Sequence, residues 1–595
     1  MRPGVQGGWS GLVRTGQAAA TGRSSSLVLR FQAWRTWLVL GGLMGLLLIL
    51  IGRAAYLMGW NETFLQEQGQ ARYSRVIRLE ANRGMITDRN GEPLAISTPV
   101  QSIWASPSDM EPLSPRLLKE LARVLELPES EISRKLADRK RDFVFLKRQL
   151  SPEKSDRVLA LGIPGISKQT EYRRYYPAGE MMAHIIGFTD IDGKGQEGLE
   201  LTREAMLAGK PGSRHVIKDR RGYIVEDVTS IEQPKDGQTL TLSIDRRIQY
   251  LAYRELKSAV EANHAKAGGI VVLDARTGEV LALANVPSYN PNSRNLNDPA
   301  ARRNRALTDL LEPGSVMKPI SVSAALDRNI VQPTTVIATG ASFTIGPNTV
   351  RDVHASGALS TEQIIQKSSN VGTAKIALKL DREELWSMYD AVGFGQAPHS
   401  GFPGEASGRL RAWKTWRPIE QATMSYGYGV SVSLMQMAKS YQIFAGDGQI
   451  RPITFQKLVA PLPGKQVIKP ETAAAMRKML EMVTLPGGTA PKAQVVGYRV
   501  GGKTGTAHKL VNGGYAEDRY IASFVGLAPI SDPRLIVGVM IDEPSAGQHY
   551  GGLVSAPVFS AVVKECMRML GIPPDAPVNN ILLPDTNQQD VKEDV

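Results

Sequence analysis

From Thr36 to Gly52 the chain carries no charged residue, and no other stretch is long and apolar enough to suggest a membrane span. Seventeen residues of helix reach about 25 Å, a little short of a hydrocarbon core of roughly 30 Å. Arg53 must then draw its head toward the far interface, so that Ala54 to Leu57 extend the helix and Tyr56 and Trp60 meet the interfacial belt. Arg2, Arg14, Arg23, Arg30 and Arg35 precede the span without an acidic residue among them. The positive-inside rule therefore predicts a cytoplasmic tail at 1–35, an anchor at 36–57 and export of the rest of the chain. A cleaved signal peptide is the competing reading. The apolar stretch exceeds an ordinary h-region, and no small-x-small cleavage pattern follows it.

Between residues 60 and 235, short alternating strands mix with charged helical stretches at Pro115 to Leu127 and Pro128 to Arg141. This pattern predicts an elongated, non-catalytic pedestal. Arg83 to Gly91 reads as a strand entering an Asn90-Gly91 turn, a strong hairpin signal. Arg174-Tyr175-Tyr176-Pro177-Ala178-Gly179 precedes an apolar helix candidate and then Gly195 to Glu200; its charged and aromatic residues fit interdomain packing equally well. After residue 235 the texture turns more regular and apolar. Leu240 to Ile244 alternates as a strand, Asp245 can cap a helix through Val260, and Gly269 to Asp274 pairs with Glu279 to Asn285 across a tight turn. Ser523 to Ala528 and Leu535 to Asp542 read as buried strands, and Pro557 to Leu570 as a closing helix. A second domain is thus expected over 236–571. The segment 572–595, rich in Pro, Asn and Asp and lacking periodicity, is expected to be disordered.

Length and charge narrow the function classes. A chain of 595 residues exceeds one core, and its 42% hydrophobic and 22% charged content is that of a mostly soluble, multidomain protein. The net charge of +13 suits nucleic acid, but no basic run interleaved with aromatics and no nucleic-acid motif accompanies it. A surface facing anionic lipid or an acidic wall polymer explains the same charge, and no nucleic-acid partner is expected. Cys566 is the sole cysteine, which excludes an internal disulfide and a thiolate zinc site.

Three short segments carry candidate chemistry. In Glu312 to Pro319, Ser315 and Lys318 stand three residues apart after a Pro-Gly turn suited to opening a helix. One helical turn places both on one face, with the serine near outward backbone N–H groups and the lysine near enough to exchange a proton. Alone this is weak, since a solvated lysine on an ordinary helix gives the same letters. Ser368-Ser369-Asn370 follows a helix-like stretch and supplies a hydroxyl and an amide; alone it is a polar turn. Lys503-Thr504-Gly505-Thr506 lies on a strand whose alternation points Lys503 and Gly505 one way and Thr504 the other, and Gly505 would let a substrate backbone lie close. Together, in this order and at offsets of 53 and 188 residues from Ser315, the three form a specific constellation. It is the motif set of serine β-lactamases and penicillin-binding proteins, with S-x-N in place of S-D-N.

The chain strongly resembles the class B penicillin-binding proteins, most closely the division-specific septal, FtsI-like branch. The likeness runs from the anchor to about residue 570. It includes Arg83 to Gly91, the segments around Tyr175 and Glu197, Asn304-Arg305-Ala306, Ser425-Tyr426-Gly427-Tyr428-Gly429, Tyr550-Gly551-Gly552 and Ala556 to Phe559. It implies an α/β (α+β) transpeptidase fold, a central antiparallel sheet between helices, on an elongated mixed pedestal with one N-terminal transmembrane helix. Carried over residue by residue, Ser315 looks like the nucleophile that attacks a D-alanyl-D-alanine stem peptide, and Lys318 like its proton acceptor. Lys318 would need a depressed pKa, for which a nearby cation such as Lys503 is one cause; which group is the base is left open. Ser368 would relay a proton to the leaving amine and Asn370 would hold the substrate amide. Lys503, Thr504 and Thr506 would receive the terminal carboxylate, with Gly505 also substrate-binding and the backbone N–H groups of Ser315 and Thr506 as oxyanion hole.

The resemblance further implies transfer to an amine of a neighbouring stem peptide, covalent inhibition by β-lactams, no cofactor and no metal. The seven histidines show no ligand spacing, and His508 and His549 read as solvent-facing or structural. Expected partners are peptidoglycan stem peptides, a polytopic SEDS-type glycosyltransferase and other division proteins. The expected location is the inner membrane at the septum, with the catalytic domain periplasmic. Sidewall elongation, a D,D-carboxypeptidase or β-lactamase, and a non-enzymatic β-lactam sensor are the rivals.

Overall fold

The computed structural model describes residues 33–60, 74–218, 224–293, 297–511 and 513–582. The arginines expected in a tail, apart from Arg35, and the last thirteen residues lie outside the described residues. Two units divide the chain, Met1–Arg75 and Val76–Val595. In the first, the apolar run folds as a helix at Ala33–Ala55 that passes into a π-helical turn at Tyr56–Trp60. Its Ala33–Gly59 stretch is long and apolar enough to cross a membrane, about 40 Å at 1.5 Å per residue. The described helix includes Arg35, so it reaches beyond the charge-free run on its N-terminal side.

In the second unit the Asn-Gly turn forms as read. Asp88 Oδ1 accepts the N–H groups of Asn90 (2.7 Å) and Glu92 (2.9 Å), and Gly91 takes the left-handed φ of 90° that the turn demands. The chain then returns as the long strand Pro93–Ala105, which pairs antiparallel with Ile166–Tyr175 and Val144–Leu150. Helices Pro115–Leu125 and Glu129–Leu136 cover this sheet through a small core of their own around Ile103, Leu121, Ile132 and Leu146. The first opens on Ser114, whose side chain accepts the Leu117 N–H, with Pro115 where no donor is needed. The second ends earlier than the expected Arg141, where Arg141 N–H closes a turn on the Asp138 carbonyl.

Two segments singled out in the sequence meet in a buried ionic knot. Glu200, with a side chain 0% exposed, accepts from Arg83 Nε at 2.6 Å and Arg174 Nε at 2.7 Å, and Arg83 also pairs with Glu204. Removing one partner of such a knot strands a buried charge, so it fixes how these segments cross. Asn304 extends the junction. It donates to the His184 carbonyl and accepts from Asn285, whose own oxygen takes the Ala306 N–H.

The central sheet runs Val280–Val286, Ala267–Asp274, Leu535–Asp542, Gly514–Ala528, Gly501–Val511, every neighbour antiparallel. Val280–Val286 and Leu535–Asp542 are buried along their whole length, as expected for strands covered on both faces. Arg246–Ala262, capped by Asp245, and Ala556–Met569 pack against each other and the sheet, while Leu434–Ser440 packs against its central strands. Gly501–Val511 is one of the sheet's two edges, opposite Val280–Val286, so one row of its backbone groups stays outside the ladder.

The expectation of disorder from residue 572 is corrected for 572–582. Tyr498 donates its hydroxyl to the Ile572 carbonyl (2.6 Å), Asn580 donates to the carbonyls of Val495 and Tyr498 (both 3.0 Å), and Leu582 N–H bonds Gln494 (2.8 Å). Side-chain to backbone bonds, rather than apolar periodicity, pin this strap.

Candidate active site

Ser315 sits in a 3₁₀ turn, Gly314–Met317, that runs directly into the α-helix Lys318–Asp327. The α-helical turn expected from the S-x-x-K spacing is replaced by three-per-turn geometry, in which residues i and i+3 eclipse, and the Lys318 N–H closes that turn on the Ser315 carbonyl. Ser315 is 3% exposed and Lys318 0% exposed, so the alternative of a solvated lysine is excluded. Lys318 Nζ donates to Ser368 Oγ at 3.0 Å and to the Ser368 carbonyl, joining the first motif to the second.

Ser368 owes its position to a corner between helices. Thr361–Lys367 opens on a reciprocal Ser360/Gln363 cap and ends at Ser368, held at a left-handed φ of 64°. Ser369 then caps Asn370–Ala377 by accepting the Gly372 N–H at 2.8 Å. Asn370 Nδ2 reaches the Arg351 carbonyl at 3.4 Å. Asp352, on the strand Asn348–Ser360, secures the corner: its carboxylate accepts Ser369 Oγ–H and the Val371 N–H, the latter at 2.8 Å.

The sequence reading missed Asp352, because a single acid in a polar strand carries no local signal of the corner it will meet. Asp352→Ala leaves the Val371 donor unsatisfied, a loss of about 1–3 kcal/mol. Its melting temperature should fall by a few degrees and its rate of acylation by fluorescent penicillin by about tenfold. Wild-type acylation kinetics in that variant would remove Asp352 from the site.

The third motif lies on the edge strand. Lys503 is 0% exposed and its Nζ donates to Thr504 Oγ1 at 3.2 Å, while Thr504 shares a 2.8 Å hydroxyl bond with Thr489. Thr506 Oγ1 accepts the Gly551 N–H at 3.1 Å. Gly505 faces the Ser315 turn. A Cβ there would stand 2.6 Å from Ser523 Oγ and 2.9 Å from both the Pro313 carbonyl oxygen and Val316 Cγ2. The protein itself thus already makes a close approach here that requires glycine. From the other side Gly427 abuts Gly314, where an added Cβ would fall 2.1 Å from the Gly314 carbonyl oxygen.

The structure thus brings Lys318 and Ser368 into direct contact, with Ser315 one turn before the lysine and the Lys503–Thr506 strand against that turn. His508 and His549 belong to an aromatic stack: Tyr520 lies 4.7 Å from His508 and 4.1 Å from His549 between ring centroids. Partial burial and the neighbouring His508 hold the His549 imidazole below its ordinary pKa. Among the described residues no group of three His, Cys, Asp or Glu side chains is placed to hold a metal ion.

Comparison with known proteins places this geometry among relatives. The penicillin binding protein transpeptidase domain family matches residues 268–564, and the penicillin-binding protein dimerisation domain family matches 78–242. Peptidoglycan D,D-transpeptidase FtsI of Escherichia coli is 42% identical over 551 residues, covering 92% of this chain and 93% of that protein. A Neisseria meningitidis protein named probable peptidoglycan D,D-transpeptidase PenA is 46% identical over 532 residues, 89% of this chain and 91% of its own. The apo transpeptidase domain of Burkholderia pseudomallei penicillin-binding protein 3 superposes with a TM-score of 0.53 at 52% identity, over 56% of this chain and 98% of that one.

Proposed function

Because the chain belongs to the class B penicillin-binding proteins and is a peptidoglycan D,D-transpeptidase, we propose that Ser315 is its acylated nucleophile and that Lys318, Ser368, Asn370 and Lys503 carry the transfer. In this reading Ser315 Oγ attacks the carbonyl of the penultimate D-alanine, its proton passing to Lys318 Nζ. The tetrahedral oxyanion forms against the backbone N–H groups of Ser315 and Thr506, an arrangement worth several kcal/mol. Collapse breaks the peptide bond, and the leaving D-alanine amine takes its proton by way of the Ser368 hydroxyl, leaving an ester on Ser315. An amine of a neighbouring stem peptide then attacks the ester, forming the crosslink and returning the proton to Ser315.

The observation that carries this reading is the 3.0 Å contact of Lys318 Nζ with Ser368 Oγ, a proton path between two motifs whose residues are far apart in the chain. The edge strand supports it, since an extended donor peptide can add to the unladdered row of Gly501–Val511 with Asn370 and Lys503 reading its polar groups. The buried Lys503, with Thr504 and Thr506, is assigned the terminal carboxylate.

The location proposed is the inner membrane, held by Ala33–Gly59, with the N-terminus cytoplasmic and the catalytic domain periplasmic at the division septum. A polytopic SEDS-type glycosyltransferase, supplying the glycan strands, and other division proteins are the proposed partners. The detergent-solubilised full chain, treated with penicillin and analysed by intact mass and peptide mapping, should carry one acyl group, on the peptide containing Ser315. An adduct on any other residue overturns the assignment. Rapid steady-state nitrocefin turnover would instead mark a hydrolase, and dispersed foci of a fluorescent fusion a sidewall role.

A further inference from the structure

Glu312 and Tyr515 take part in none of the steps above, yet they join the two elements that must form the oxyanion hole. One of its N–H groups belongs to the nucleophile turn and the other to the edge strand, so the spacing of the hole depends on the register between those elements. At the inner end Gly505 sets this register against Pro313 and Val316. At the outer end Glu312 does. Its Oε2 accepts the Tyr515 hydroxyl proton at 2.8 Å, and its Oε1 accepts the Gly429 N–H at 2.7 Å.

Tyr515 belongs to the hairpin: it pairs with Leu510 in the ladder that contains Thr506, just past a register shift between His508 and Leu510. Gly429 is rigidly part of the loop beneath the turn, where Leu311 and Val432 exchange two backbone bonds of 3.0 and 2.9 Å. The ring of Tyr428 fills the angle between them, edge-on to Tyr515 at 5.8 Å and to Tyr426 at 6.0 Å. Partial burial and the Glu312 carboxylate push the Tyr515 phenol pKa up, so it stays a proton donor.

We propose that Glu312 and Tyr515 form a positioning clamp that holds the Ser315 turn in register with the edge strand and so sets the oxyanion hole. The inference rests on Ser315 being the acylated residue. Tyr515 is 52% exposed, and a hydrogen bond at so open a position contributes little to folding. A role in register is therefore separable from a role in stability.

The test is stopped-flow acylation of the detergent-solubilised full chain by fluorescent penicillin, resolving the limiting acylation rate from the affinity of the preceding complex. Tyr515→Phe should lower the limiting rate about tenfold, leave that affinity within about twofold and leave the melting temperature unchanged. Glu312→Ala should lose at least as much. Adding Tyr515→Phe to Glu312→Ala should cost nothing further, because the bond is already gone. Glu312→Gln, which keeps a carbonyl acceptor, should fall between wild type and Glu312→Ala. If Glu312→Ala fails to fold, Tyr515→Phe and Glu312→Gln decide the matter alone. An unchanged limiting rate in Tyr515→Phe, a loss confined to affinity, or multiplicative losses in the double variant would each overturn the clamp. Peptide mapping of the wild-type adduct separates the two claims: an adduct away from Ser315 removes the assignment, whereas an adduct on Ser315 with unchanged variant rates removes the clamp alone.

Discussion

Ser315→Ala is expected to take no covalent label from fluorescent penicillin and to form no crosslinks, while melting at the temperature of the wild type. The assay has a floor of zero, because without the Oγ no ester can form; binding and the oxyanion donors remain but have nothing to stabilise covalently. The fold should persist because backbone groups and distant side chains hold the turn. Gly314 N–H meets the Gly427 carbonyl at 3.4 Å, Leu311 pairs with Val432, and Tyr441 donates its hydroxyl to the Val316 carbonyl at 3.0 Å from a fully buried position. The substitution removes one atom from a residue 3% exposed, too small a change for a cavity to matter. Label persisting on the purified variant, at a rate within tenfold of wild type, would show that another residue is acylated.

The constellation proposed for catalysis is legible because its candidate chemistry is written in short, ordered words. Ser315, Lys318, Ser368, Asn370 and Lys503 could be named before any fold was known, and Lys318 does reach Ser368. The sheet was legible for a different reason: uninterrupted apolar runs such as Leu535 to Asp542 have no stable place except between two covered faces. Whatever depends on a partner distant in sequence escaped. Asp352 looks like any polar residue of an exposed strand until the Ser369 corner arrives, and Glu312 like the first letter of a turn until Gly429 and Tyr515 converge on it. Residues 572–582 lack periodicity because their order comes from single bonds to Gln494, Val495 and Tyr498, which composition does not encode. The 3₁₀ turn at Ser315 is likewise set by tertiary packing, between Gly505 and Gly427, rather than by propensity.

Lys318→Met should separate activity from stability, with the two moving in opposite directions. Lys318 is 0% exposed, and its Nζ donates to the hydroxyl and carbonyl of Ser368. Burying this amine costs several kcal/mol, whether as the lost hydration of its charged form or as the proton it must give up to stand neutral as a base, and a methionine of similar length removes that cost. Against this stands the Ser368 carbonyl, which loses a donor at about 1–3 kcal/mol. The first effect is the larger, so calorimetry should show a melting temperature equal to or above that of the wild type. Acylation should nevertheless fall by about a thousandfold, since the proton of Ser315 then has no acceptor of matched position. Lys318→Arg should not restore it, because a guanidinium stays protonated and cannot serve as base. If Lys318 were merely a structural cation, Lys318→Arg would recover much of the rate and Lys318→Met would lose rate and stability together. That pair of results would transfer the role of base to another group in the cleft.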